Sequence, residues 1–337
     1  MSVSIIDVAR CAKVAPSTVS NVLTQKKYVS PEIRDRVNKV CQELGYKPNY
    51  FATSLVKKET KLIGLFLTVD KDQFDSFLSS LIKGVGTELS KYGYHVVLFF
   101  NKEEDCEEAP LYTSSGMMDG AIVLSPLQKD FRIDELIKED VPYVLIGKPS
   151  MEYLGSHYVD ADNYYTTYQI TKKLIDCGHE RILFLNSDKS LTISEDRYKA
   201  YKQAFIDSNL EVDESRVVNI DIKQLDLSNI YTYFDNIDFT ACITESDVVA
   251  LEVYKCLKKY PEYEIGENFA LAALGGDSVS KRIKPSLTTA IVDYIELGKK
   301  SSNLILSLLS GEQNISKDLL IKSKIIYTKS CDFVLKN

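Results

Sequence analysis

Histidine and paired cysteine are what this chain has least of. Three histidines stand in 337 residues, at 95, 157 and 179, and the seven cysteines (11, 41, 106, 177, 242, 256 and 331) are scattered without a Cys-x-x-Cys pair. Neither set has the spacing of a zinc site or a disulfide framework, so the cysteines read as small buried hydrophobes of a reducing compartment. Three histidines assemble no convincing Ser/His/Asp constellation. Gly84-Val85-Gly86 lacks the third glycine of a dinucleotide loop and falls inside helical spacing instead of after a strand. The acids Glu103, Glu104, Asp105, Glu107 and Glu108 form a solvated run, not a tuned carboxylate pair. There is no run of about 18 apolar residues, and the start, Met1 to Asp7, lacks the basic n-region and apolar core of a secretory signal. We therefore expect a cytoplasmic protein that is not an enzyme and carries neither metal nor cofactor.

What is there is unevenly charged. Residues 1–60 hold ten Lys/Arg against five Asp/Glu, net +5, while the whole chain has 41 against 48. The remainder is left with 31 against 43, net −12. A basic end on an otherwise acidic chain points to a polyanion as partner. The length suggests two or three domains, and 45% hydrophobic with 26% charged residues is a globular composition.

The basic end reads as three helices. Ser4 and Asp7 form a capping box ahead of Val8, Ala9 and Ala12. Pro16 suits a first helical position and opens Ser17-Thr18-Val19-Ser20-Asn21-Val22-Leu23. Ser30 and Pro31 start a third helix with Ile33, Val37, Val40, Cys41 and Leu44 on one face, stopping at Gly45. Two short helices with a tight turn and a bracing third predict a helix-turn-helix domain, with a helical protein-interaction module as the alternative that charge alone leaves open.

Asp7-Val8-Ala9-Arg10, Val14, Ser17-Thr18-Val19-Ser20, Tyr28-Val29-Ser30, Arg34-Asp35-Arg36-Val37 and Leu44-Gly45-Tyr46-Lys47-Pro48-Asn49 closely resemble the start of LacI/GalR (lactose repressor) family regulators. The resemblance implies that Pro16, Ser17 and Asn21 face base edges in a major groove, with Thr18, Tyr28 and Asn49 beside them as DNA contacts. Asn21 stands where the family most often has Arg, and Asn pairs with adenine where Arg prefers guanine. Lys13 replaces the usual turn glycine, and Ala15 the usual Ser at the recognition-helix N-cap, two departures that weaken the isolated domain. Residues 49–60 match the hinge helix and linker, in which Leu55 would wedge into a central minor-groove step. The plainer readings are a solvated helix residue for Asn21 and an ordinary linker leucine for Leu55.

From Lys61 on, short apolar runs alternate with amphipathic stretches: residues 62–67, 96–100, 121–124 and 143–146, then again 182–185, 241–244 and 269–274. Such runs argue buried parallel strands in βαβ units, hence two doubly wound α/β lobes with a cleft between them. The resemblance continues through Asp162-Asn163, Gly178-His179-Glu180-Arg181-Ile182, Ser246-Asp247 and Pro285-Ser286-Leu287-Thr288-Thr289. It implies a periplasmic-binding-protein-like effector core over 61–337, with one lobe of about 61–160 and 293–320 and the other of about 161–292 and 321–337. Residues 101–119 are short for the family and contain Pro110, so a broken helix is expected there.

Ligands in such folds sit beyond the carboxyl ends of the strands. The matching positions are Phe77, Ser125, Lys148, Asp162, Arg197, Ser246 and Asp277, a set able to hold hydroxyls and cover an apolar ring face. Phe77 also fits a core position, Asp162 also fits a helix N-cap, and the Asp277 alignment admits a slip of two residues. His179 reads as a turn residue before a strand. The family likeness implies a repressor of carbohydrate-use genes that binds palindromic operator DNA as a homodimer and answers to a small sugar or sugar phosphate. A purine- or phosphoprotein-controlled regulator is the runner-up, and a sugar-binding protein without a regulatory role the third reading. The last eight residues, 330–337, hold no heptad tail that would drive a tetramer.

Overall fold

The computed structural model describes residues 3–25, 27–47, 59–68, 76–101, 116–221, 227–276 and 279–334. The chain falls into two units, Met1–Lys61 with Gly116–Asp119, and Leu62–Ser115 with Gly120–Asn337.

The first unit holds α1 (Ile5–Ala12), α2 (Pro16–Thr24) and α3 (Pro31–Glu43). The capping box forms: the Ser4 hydroxyl accepts from the Asp7 N–H, and the Asp7 carboxylate accepts from the Ser4 N–H at 3.0 Å. These bonds hold the Asp7 carboxyl below its usual range. Lys13 ends α1 at φ 52°, ψ 48°, the left-handed region where glycine is at ease, and Ala15 gives α2 no side-chain cap. Ser30 and Pro31 start α3 as expected, although the Ser30 hydroxyl makes no capping bond. Val8, Ala9, Ala12, Val19, Val22, Val29 and Val37 form the small core, with Ile33, Val40, Cys41 and Leu44 half-buried around it.

The second unit is built on two six-stranded sheets. β1 (Leu62–Thr68), β2 (His95–Asn101), β3 (Gly120–Leu124), β4 (Tyr143–Ile146) and β5 (His157–Ala161) belong to the first. β6 (Ile182–Asn186), β7 (Val217–Asn219), β8 (Ala241–Thr244), β9 (Ala270–Ala273) and β10 (Thr288–Ile291) belong to the second. β11 (Asp318–Ile321) then returns to the first sheet and β12 (Lys324–Ile326) to the second. The orders are β11-β5-β4-β3-β1-β2 and β12-β10-β9-β8-β6-β7. All described pairings are parallel except β10 with β12.

The fully buried runs of β3, β6, β8 and β9 are the continuous apolar stretches of the sequence. Strands β5, β7, β10, β11 and β12 were not among the expected runs. β7 and the last pair are short with half-exposed faces, so they carry no continuous apolar signal. Seven helices cover the sheets: α4 (Ser76–Ser90), α5 (Phe131–Lys138), α6 (Asn163–Asp176), α7 (Thr192–Ile206), α8 (Leu227–Asn236), α9 (Asp247–Cys256) and α10 (Tyr294–Leu309) among the described residues. The chain passes between lobes after β5, between β10 and α10, and between β11 and β12. Gly84, inside α4 and not in a phosphate loop, lets α10 approach: a Cβ there would collide with the Ile295 carbonyl. The segment expected to hold a broken helix lies, from 102 to 115, outside the described residues.

Candidate functional site

Two surfaces gather the candidate residues. On α2 the apolar side is buried through Val19 and Val22, which leaves Pro16 and Ser17 exposed, and Thr18 and Asn21 half-buried. Tyr28, in the turn after α2, is 88% exposed. A large aromatic so exposed has little packing role there. Asn49 and Leu55, the hinge candidates, lie outside the described residues.

The second surface is a cavity of about 540 Å3 lined by strand ends and helix starts of both sheets. Phe77, Ser125, Arg197 and Ser246 line it. Phe77 both lines the cavity and packs on the first lobe's core, its ring edge-on to Tyr294 at 4.6 Å, so its core and site readings coexist. Ser125 ends β3 at φ 51°. Ser246 is spent locally, its hydroxyl accepting the Val249 N–H as the cap of α9.

Arg197 is the central group. It stands in the first half of α7, is only 8% exposed, and donates from Nη1 to Ser187 Oγ at 2.8 Å. Its Nε–H has no hydrogen-bond partner among the described residues. Burial pushes its pKa down, against the opposing pull of Glu245, Tyr294 and Asp160.

Lys148 and Asp162 are not among the cavity-lining residues. The Lys148 ammonium is bound to both carboxylate oxygens of Asp196 at 3.0 Å, across the lobes. Burial works against its charge, but the Asp196 contact outweighs that and raises its pKa. Asp162 accepts from the Tyr165 N–H at 2.9 Å as the cap of α6, the alternative its position allowed. Asp277 lies outside the described residues.

The carboxylates that do line the cavity are Asp160, Glu245 and Asp247. Asp160, at the end of β5, accepts from the Ala161 N–H at 2.7 Å and from Asn163 Nδ2 at 3.2 Å. Burial pushes its carboxyl up to about 7, held back by the Ala161 amide and reinforced by Asp196. Glu245 is raised by burial, with Arg197 opposing. Asp247 is committed to the Val279 and Ser280 amides. Sequence reading missed these three. The signal for Asp160 is an acid near the end of a strand that lacks a continuous apolar run, two residues before the Asp162 cap.

Comparison with known proteins places both halves. The model for bacterial regulatory proteins of the lacI family matches residues 4–49, and that for a periplasmic binding protein-like domain matches residues 171–331. The HTH-type transcriptional regulator MalR of Streptococcus pneumoniae serotype 4 (strain ATCC BAA-334 / TIGR4) is 31% identical over 343 residues, covering 97% of this chain and 99% of the relative. The chain belongs to the LacI family. It is a helix-turn-helix transcriptional regulator with a two-lobed α/β core. Among solved structures, a transcriptional regulator CelR-cellobiose complex aligns with a TM-score of 0.75 at 25% identity, covering 97% of the regulator and 99% of that chain. A lac repressor dimer bound to operator and the anti-inducer ONPF shares the fold, with a TM-score of 0.79 at 20% identity over 98% and 99% of the two chains.

Proposed function

We propose that the regulator is a cytoplasmic repressor of carbohydrate-use genes, dimeric on a palindromic operator and controlled by an uncharged sugar bound between the lobes. Pro16, Ser17, Thr18, Asn21, Tyr28, Asn49 and Leu55 are the DNA-contacting set, and two-fold protein symmetry matches the two half-sites. The observation that carries the effector reading is the Arg197 Nε–H, without a partner among the described residues, in a cavity shared with the Asp160 and Glu245 carboxylates. A buried donor without an acceptor costs about 1–3 kcal/mol, which a hydroxyl oxygen at that point would recover. Donor and acceptors side by side suit a polyol, whose hydroxyls both give and take hydrogen bonds, and Phe77 with Tyr294 supplies an aromatic wall. The same charges disfavour a sugar phosphate. Lys148 is neutralised by Asp196 and Arg197 faces carboxylates, so a phosphate would meet more negative than positive charge.

A ligand acts only through unequal affinity for the lobe arrangements, so binding and DNA release are separate measurements. Thermal-shift assays with cellobiose, maltose, their 6-phosphates and adenine are the first test. The expected result is a shift with a neutral sugar that Arg197→Met weakens roughly 10- to 100-fold in affinity. A shift with sugar phosphate or adenine alone would overturn the effector class, and operator binding repeated with each hit gives the sign of control.

A further inference from the structure

Arg132 is the largest fully buried side chain among the described residues, 1% exposed, and it does not itself line the cavity. Removing a guanidinium from water costs several kcal/mol even when paired, so stability is a poor reason for its presence. Among the described residues its donors reach three places. Nε and Nη2 hold the two oxygens of Asp130 at 2.8 and 2.6 Å, Nη1 donates to the Leu124 carbonyl at 3.2 Å, and Nη2 to the Ser125 carbonyl at 3.1 Å. Asp130 is itself fixed: its carboxylate accepts the Leu127 N–H at 3.0 Å, and its own N–H donates to the Tyr153 hydroxyl at 2.9 Å.

The segment thus gripped, 124–130, has two jobs on the page. Leu124, Ser125 and Pro126 line the cavity, with Ser125 in a left-handed conformation that no glycine relieves. The same segment bridges to the other lobe: the Gln128 N–H donates to the Ser190 carbonyl at 2.7 Å, Leu127 pairs with Leu191, and Thr192 donates from its hydroxyl to the Pro126 carbonyl at 3.3 Å. Gly147 makes room on the other side, because a Cβ there would lie 2.6 Å from the Pro126 ring.

We infer that Arg132 is a positioning residue that holds the cavity-lining turn in the one geometry able to meet the opposite lobe. It couples occupancy of the cleft to lobe contact without touching the ligand. The fork of a guanidinium is needed, since Lys can keep the ion pair with Asp130 but cannot also reach both carbonyls in the same plane. The regulatory meaning rests on the cleft being the effector site, whereas the positioning itself is measurable without ligand.

The test is segment-resolved hydrogen exchange on the full-length chain as wild type, Arg132→Met and Arg132→Lys. Exchange in 125–130 and 188–193 is expected to rise about tenfold or more in both variants, while β1, β4 and β6 keep their protection. Unchanged exchange at 188–193 in either folded variant, or protection lost evenly across the first sheet, would overturn the proposal. Should Arg132→Met fail to fold, Arg132→Lys decides. Cellobiose or maltose binding to the variants is a separate readout: its loss in wild type as well would count against the effector reading and leave the exchange result standing.

Discussion

Two carboxylates two residues apart have opposite duties. Asp162 caps a helix and Asp160 faces the cavity. Asp162→Ala is expected to cost about 0.5–2 kcal/mol in urea denaturation and leave ligand affinity intact. Asp160→Asn is expected to weaken sugar binding about tenfold at pH 8 with no loss of stability, because a carboxyl raised by burial is costly to ionise. At the other end, Asn21→Arg should move the preferred base from adenine to guanine at one position per half-site, read by selection from randomised operators. Identical preference would remove Asn21 from the reading. Residue identity was legible wherever a side chain acts locally, as with the Ser4–Asp7 box. It was not legible where function depends on which strand end meets which.

At the scale of elements, the recognition unit and the helix pair of the first lobe make contrasting use of glycine. Lys13 holds a left-handed turn without it, so Lys13→Gly should stabilise the helix-turn-helix unit by about 1 kcal/mol, seen as slower hydrogen exchange in α1 and α2. In α4, Gly84 is indispensable to the approach of α10, and Gly298 returns the contact, its absent Cβ lying 2.6 Å from the Leu81 carbonyl. Gly84→Ala should lower the urea midpoint by the equivalent of about 1–3 kcal/mol or more, since backbone cannot yield as a side chain would. The helical periodicity of α4 was readable in sequence, but its partner was not, because α10 lies some two hundred residues downstream.

For the whole molecule, pH and salt report on different parts. His179, fully buried with Nδ1 3.0 Å from Thr240 Oγ1, is pushed by burial from its ordinary 6.5 down to about 4. The unfolded chain therefore binds the extra proton between about pH 6.5 and 4, and stability falls as pH drops through that window, by up to about 3 kcal/mol. Asp160 acts in the opposite sense: its raised pKa makes the folded state the better proton binder between about 4 and 7, so its contribution falls as pH rises. Urea titrations at pH 5 and 7 of wild type against His179→Gln isolate the first term, and a variant that kept the full acid-side slope would refute it. Operator affinity should fall at least about a hundredfold between 50 and 200 mM salt, since phosphate contacts release counterions.

Taken alone, the sequence determined the elements that rest on local chemistry: the capping box, the proline-led helices, the basic end, and the apolar runs that became buried parallel strands. Those follow from neighbouring residues, and neighbours are what a sequence displays. Tertiary structure alone decided which groups share the cleft. It set Arg197 among Asp160, Glu245 and Ser187, drew Lys148 away to Asp196, and buried Arg132 beneath the turn that joins the lobes. The physical reason is that a buried charge settles where its desolvation is best compensated, and that partner is chosen by the crossing of distant strands and helices, not by spacing along the chain.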